Sequence, residues 1–153
     1  MDYVNLSQKC QYALRALFEL ARRDATGPVS VSEIAEAQAI PSRFLEVILH
    51  DLKRGGFVES RRGARGGYLL TVPAESILVG NIIRFIDGPI APVRCVAEGD
   101  SSDCPFHGNC AFMNMWMRAM QAACEVYDNT SVKDLVMEQE TGGSGELVPN
   151  YCI

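Results

Sequence analysis

What this chain lacks narrows its class before any motif is read. It has no apolar run approaching the roughly 20 residues that cross a bilayer, and its opening, MDYVNLSQKCQYALRAL, has no charged-then-apolar signal pattern. A cytoplasmic location without a membrane partner is therefore expected. It lacks an overall basic charge: the formal net charge is −5 over 153 residues, which on the total alone argues against a polyanionic partner. The deficit is not uniform, because residues 1 to 72 carry ten Lys/Arg against eight Asp/Glu, and residues 73 to 153 carry four against eleven. The local face governs phosphate binding, so the N-terminal half stays open to nucleic acid. Two motifs are also missing. RGARGG (Arg62 to Gly67) lacks the GxxxxGK[ST] spacing and lies between two strand-like runs, which excludes a P-loop. No CxxC knuckle is present, which weakens a structural zinc site.

What is present is an ordinary globular composition, 48% hydrophobic and 22% charged, on a chain long enough for one domain with a core or a small domain with an appended dimerisation element. From about Ser7 to Arg23 apolar residues recur at helical steps, and Ala25 to Pro28 breaks that helix. Ser30 followed by Glu33 spells a capping box for a second helix, which Ile40-Pro41 interrupts. A third helix follows from Ser42, which can cap it. Leu45, Ile48, Leu49 and Leu52 form its buried face, and Arg43, Glu46, His50 and Arg54 the opposite one. Two short helices joined by a tight turn form a helix-turn-helix. Phe57 to Arg61 and Tyr68 to Thr71 then read as a hairpin around RGARGG, in the place of a wing.

The expected fold is mainly α with a small β-hairpin wing: a winged helix-turn-helix in residues 1–75, then a linking helix, a cysteine loop at 95–110 and a long dimerisation helix in 76–138, then a flexible tail over 139–153. The linking helix is expected from Ser76 to Asp87, with Ala91-Pro92 holding the chain extended into the loop. After Cys110, the helix AFMNMWMRAMQAACEVYDN confines its polar residues Asn114, Arg118, Gln121 and Glu125 to a narrow stripe. Such a helix is buried from two sides, and a second copy related by a twofold axis supplies the second side. A last helix is expected from Thr130, as cap, to Glu138.

Function points to DNA. Ser42, Arg43, Glu46 and His50 form the base-facing set: Arg43 can pair with a guanine edge in two places, Glu46 can accept from cytosine N4, and His50 can reach a base or phosphate. Arg61, Arg62 and Arg65 would hold the wing on phosphates or in a narrow minor groove. The stretch Cys95 to Cys110, CVAEGDSSDCPFHGNC, places three cysteines in a Gly/Pro/Asp/Ser loop, where a reducing compartment favours ligands over disulfides. Soft thiolates on a flexible loop suit an iron-sulfur cluster. A Cys3His zinc site using Cys95, Cys104, Cys110 and His107 is the first rival, and uncomplexed or redox thiols are the second. A thiol enzyme with Cys104 or Cys110 as nucleophile and His107 as base lacks an orienting partner, so no enzymatic activity is expected. Cys124 falls on an apolar helix face and is expected in the core; Cys152 carries no assigned role.

The order of these elements, the run RGARGGYLL (Arg62 to Leu70) and the CPFHGNC spacing resemble the bacterial Rrf-two family of transcription regulators, over residues 1 to about 138. The resemblance implies a homodimeric regulator, expected to be a repressor, that binds a palindromic operator on double-stranded DNA. It also implies an iron-sulfur cluster on Cys95, Cys104 and Cys110 whose state senses iron, redox conditions or nitric oxide. Family members with a 2Fe-2S centre often carry histidine three residues past the third cysteine, where this chain has Met113; some 4Fe-4S members use a first-helix carboxylate of the other subunit, where it has Gln11. The fourth ligand is thus open among His107, Gln11, Cys10 and a small exogenous molecule, and a 4Fe-4S cluster is favoured over 2Fe-2S. The alternative expectation is an electron-transfer or cluster-carrier protein whose winged domain binds a protein.

Overall fold

The structure is a computed structural model that describes residues 6–97, 99 and 103–142. Its first helix, α1 (Gln8–Arg22), is capped by the Ser7 hydroxyl, which accepts the Cys10 N–H, and it turns Ala13, Ala16, Leu17 and Leu20 into the core. α2 (Val31–Gln38) begins with the expected capping box, Ser30 and Glu33 satisfying each other's backbone N–H groups. It ends at Ala39 in the left-handed region (φ 49°), and the next N–H, of buried Ile40, reaches back to the Ala35 carbonyl at 2.9 Å. The chain then turns into α3 (Ser42–Arg54), whose Leu45, Ile48, Leu49 and Leu52 are buried as the periodicity requires. Pro41, not Ser42, holds the cap position of α3: its carbonyl accepts the Phe44 and Leu45 N–H groups at 3.0 and 3.1 Å, and no side chain caps the helix. Ser42 is the first helical residue and its side chain is exposed.

β1 (Val58–Arg61) and β2 (Gly67–Leu70) pair antiparallel, with Val58 opposite Leu70 and Arg61 opposite Gly67. Val29, just before α2, adds a bridge to Tyr68 with bonds of 2.9 and 2.8 Å, so the wing is anchored on both sides. Gly67 permits that approach: a Cβ there would collide with the Val29 carbonyl. Lys53 Nζ, at the end of α3, donates to Ser60 Oγ of β1 at 2.6 Å and fixes the wing relative to the helix.

The second half departs from expectation in five places. α4 spans Val79–Ile86 and does not begin at Ser76, because Ile77 and Leu78 are extended and bridge to the start of the last helix; Leu78 faces Ser131, and Val132 N–H reaches the Ile77 carbonyl at 2.9 Å. The same bridge makes Ser131, not Thr130, the cap of α7 (Val132–Glu140), in a capping box with Asp134, while the Thr130 hydroxyl donates to the Val126 carbonyl. The approach to the cysteines is not extended throughout, since α5 (Arg94–Ala97) forms one helical turn around Cys95. α6 (Met113–Asp128) starts two residues later than the apolar pattern, at Met113. Gln139 and Glu140, expected in the tail, complete α7, and 143–153 with Cys152 lie outside the described residues.

One core joins the two halves. Ile77, Ile82 and Val132 are buried in the same cluster as Leu17, Leu45 and Leu52, so α4 and α7 close against α1 and share its core. Glu19 is fully buried within this frame. Burial alone would raise its carboxyl pKa, but hydrogen bonds from Arg22, Gln38 and Arg23 outweigh that and hold it below the usual range. No described helix is long and apolar enough to cross a membrane.

Candidate nucleic-acid interface and cysteine loop

Because the buried stripe of α3 faces α1, its other side points outward. Ser42, Arg43, Glu46 and His50 are all exposed there, and so are Arg61, Arg62 and Arg65 on the adjoining wing. Among the described residues, Arg43, Arg62 and Arg65 form no ion pair, whereas Arg61 is 3.4 Å from Glu59. Free guanidinium groups on two neighbouring elements are what a phosphate backbone needs. The flank of the helix that meets α1 is neutralised in contrast: Asp51 is paired with Lys9 of α1 at 2.7 Å and with Arg54 at 3.2 Å. The Lys9 ammonium holds the Asp51 carboxyl below its usual range, which keeps a negative charge pinned on the side of α3 turned towards α1.

Two residues of this face escaped the sequence reading. Phe44 and Val47 are large, apolar and more than half exposed, although they sit between Arg43 and His50. The available signal was their absence from the 45/48/49/52 stripe; apolar residues off the core face of a short helix have to meet something else.

Cys95 lies on α5, Cys104 and Cys110 on successive turns before α6, and all three are free and partly buried. The turns are closed by His107 N–H to the Cys104 carbonyl at 2.9 Å and Asn109 N–H to the Phe106 carbonyl at 3.0 Å, which leaves the His107 side chain exposed within the loop. Among the described residues no three His, Cys, Asp or Glu side chains are gathered closely enough to hold a metal ion. Cys95, Cys104, Cys110 and His107 therefore supply the donors of a soft-metal site, and those donors still have to be drawn together.

The other fourth-ligand candidates separate cleanly. Gln11 is exposed on α1 at the edge of a cleft of about 700 Å³ that also takes in Asp87, Pro92, Met120 and Tyr127, and its amide donates to the Leu6 carbonyl at 2.9 Å. Cys10 is the preceding residue but points inward, packed with Val79 and Ile83. Burial, helped by the charge of Asp87, pushes its thiol pKa up to about 11. A thiol that is sealed and hard to ionise is a poor ligand, so Cys10 as it stands belongs to the core. Cys124 shows the reverse correction: it is only partly buried, and Arg84 Nη2 approaches its Sγ at 3.6 Å.

Polar links that the sequence did not reveal tie α6 and α4 through α1 to the flank of α3 that meets α1. Arg84 of α4 grips Asp128 of α6 with two bonds of 2.7 and 2.8 Å. Asp87, at the end of α4, accepts from the Ser7 N–H at 2.8 Å and from its hydroxyl at 2.5 Å. Lys9 then joins α1 to α3 through Asp51.

Comparison with known proteins agrees with this arrangement. The Rrf2 family, described as an iron-dependent transcriptional regulator, matches residues 6–138. The HTH-type transcriptional regulator CymR of Bacillus subtilis is 34% identical over 86% of this chain and 89% of its own length. The IscR regulator of Klebsiella pneumoniae (strain 342) is 33% identical over 90% of this chain and 82% of its own. Among solved structures, that of CymR, the global cysteine regulator of B. subtilis, superposes with a TM-score of 0.74 over 87% of this chain and 96% of that one, at 34% identity. IscR of T. potens superposes with a TM-score of 0.72 over 93% of each, at 30% identity. The family match, the winged helix-turn-helix and the basic face of α3 and its wing agree: the chain belongs to the Rrf2 family of DNA-binding, winged-helix transcriptional regulators.

Proposed function

We propose that this regulator is a cytoplasmic homodimer, acting as a repressor, whose affinity for a palindromic operator is set by an iron-sulfur cluster held on Cys95, Cys104 and Cys110. The observation that carries the reading is the set of three free, partly buried thiols, Cys95 on α5 and Cys104 and Cys110 on the segment that runs into α6. Relatives of the chain are named for different signals, the family for iron dependence and CymR as a cysteine regulator. What selects between them here is the loop. A cluster bound there supplies a group whose integrity depends on iron, oxidants or nitric oxide.

The fourth ligand comes from His107 inside the loop or from Gln11 at the rim of the cleft, with a small exogenous molecule as the remaining choice. Met113 replaces the histidine expected of a 2Fe-2S site, and the reading favours a 4Fe-4S cluster. An electron carrier with a protein-binding winged domain is set aside, because the chain's family is one of transcriptional regulators.

α6 is the dimer element of this reading. None of its residues is buried, and Met115, Met117 and Val126 stand exposed along it. Rearrangement of the loop alters how α6 sits against its partner copy, and the links Arg84 to Asp128, Asp87 to Ser7 and Lys9 to Asp51 offer a mechanical line from α6 to α3. Operator affinity then shifts by the difference in cluster binding between the two arrangements. Anaerobic reconstitution with iron and sulfide tests the site. Visible charge-transfer absorption, with iron and sulfide bound in equal number, is expected in the native chain and lost in Cys104→Ala; a colourless product, or an unchanged spectrum in the variant, overturns the site.

A further inference from the structure

The α3 face carries more information than its charges. At about 100° per residue, Leu45, Ile48, Leu49 and Leu52 define one side of α3, and Arg43, Val47, His50 and Arg54 define the side directly opposite, at steps of four, three and four. Val47 is therefore in the middle of the outward stripe, flanked by Glu46 on one side and Phe44 on the other. Val47 is 59% exposed and Phe44 65% exposed, and neither packs against the core cluster. Core packing, which explains every other large apolar residue of α3, does not explain these two.

The floor of the major groove presents one apolar group at its base edges, the C5-methyl of thymine. We propose that Val47 and Phe44 are specificity-determining residues that read thymine methyl groups in each half-site, beside the bases met by Arg43 and Glu46. Residues three apart on a helix have Cβ atoms about 5–6 Å apart, and successive bases along a strand are about 3.4 Å apart. One helix face can thus serve methyls one or two base steps apart. The electrostatic setting selects DNA over a protein as the occupant, since Arg43 on the same face and Arg62 and Arg65 on the wing that follows α3 are exposed and form no ion pair among the described residues. The inference rests on the DNA-binding role of this face and adds to it a class of base.

The probe is a duplex selected from a randomised library by the full-length, anaerobically prepared protein. Each thymine of the selected site is then replaced singly by deoxyuridine, which deletes the methyl and leaves the hydrogen-bonding edge intact. At one or two positions per half-site, affinity of the native chain is expected to fall roughly three- to fivefold, the scale of one methyl group removed from contact. In Val47→Ala or Phe44→Ala the same replacement is expected to cost nothing further at the matching position, and thermal melting should stay near that of the native chain because both side chains are exposed. An enriched site at which no uracil weakens binding overturns the methyl contact alone, as does a uracil penalty that persists undiminished in both variants. That first outcome is also the one expected if Phe44 and Val47 serve a protein partner. A library that yields no enriched site overturns the DNA-reading role itself, a result distinct from either.

Discussion

The thirteen residues of α3 bury Leu45, Ile48, Leu49 and Leu52 inside this chain, whereas the sixteen of α6 bury none. Both helices are rich in apolar side chains, so hydrophobicity alone does not separate them. The shape of the apolar surface does. In α3 the core-facing stripe matches the width of the surface offered by α1 and α2, and the helix is finished by its own domain. In α6 the apolar residues spread around most of the circumference, and α4 and α5 meet only part of it. A broad apolar helix stays open until a second surface arrives, and this contrast is the physical basis for treating one half of the molecule as a rigid reader and the other as its adjustable mount.

The sharpest way to break the contrast is to cut equal-sized holes in the two helices. Leu49→Ala in α3 should cost about 3 kcal/mol of unfolding free energy, the usual range for a buried leucine lost without collapse, read from urea melts. Met115→Ala in α6 should leave the melt of the isolated subunit almost unchanged. A similar loss for both would show that α6 is as closed as α3.

Next in size is a charge placed on the open side. Val126→Glu should weaken self-association by about 2 kcal/mol, roughly thirtyfold in dissociation constant, with helix content preserved. Sedimentation at several concentrations measures it, and a dimer as tight as the native one would remove α6 from the interface.

A third test probes why the reader is rigid. Glu19 has a folded pKa below its unfolded value, so its contribution is present above the ordinary carboxylate range and is lost as pH falls through the folded pKa. Glu19→Gln should therefore be less stable at pH 7 by about 1.5 kcal/mol, tempered because Arg22 and Arg23 reach water. The gap between the two proteins should narrow as pH falls below the ordinary carboxylate range and through the lowered folded pKa. A gap that stays constant with pH would mean that the carboxylate charge is not what holds α1 to α2.

The smallest effect belongs to the wing. Arg65→Ala should weaken DNA binding about equally on all sequences and lower the salt slope of binding by about 1. A change in sequence preference would mean that Arg65 reads bases.

Where the sequence was legible, the interactions were local. Ser30 and Glu33 lie within one turn of each other, the 45/48/49/52 stripe lies within two turns, and both appear as read. Where it was not, a distant strand or helix intervened. Ser131 takes the cap from Thr130, and α4 starts at Val79, because Leu78 pairs with Ser131 across more than fifty residues. Asp87 reaches Ser7, and Arg84 reaches Asp128, through contacts that no short-range pattern encodes. Among the site residues, the three loop cysteines and the basic residues of α3 and the wing stood out by type and spacing. Phe44 and Val47 did not, because an apolar residue on an amphipathic helix is ordinarily assigned to the core. Cys10 could be placed inside only once α4 was seen to lie over it.

The claim that joins the two halves is that the state of the loop sets the grip of α3 on DNA. It is tested most directly by titrating one selected operator duplex, at fixed salt and without oxygen, with cluster-loaded and with cluster-free protein. A change of at least tenfold in dissociation constant, about 1.4 kcal/mol of coupling, is predicted. Equal affinity, within twofold, from a protein that demonstrably holds iron and sulfide on the loop would contradict it.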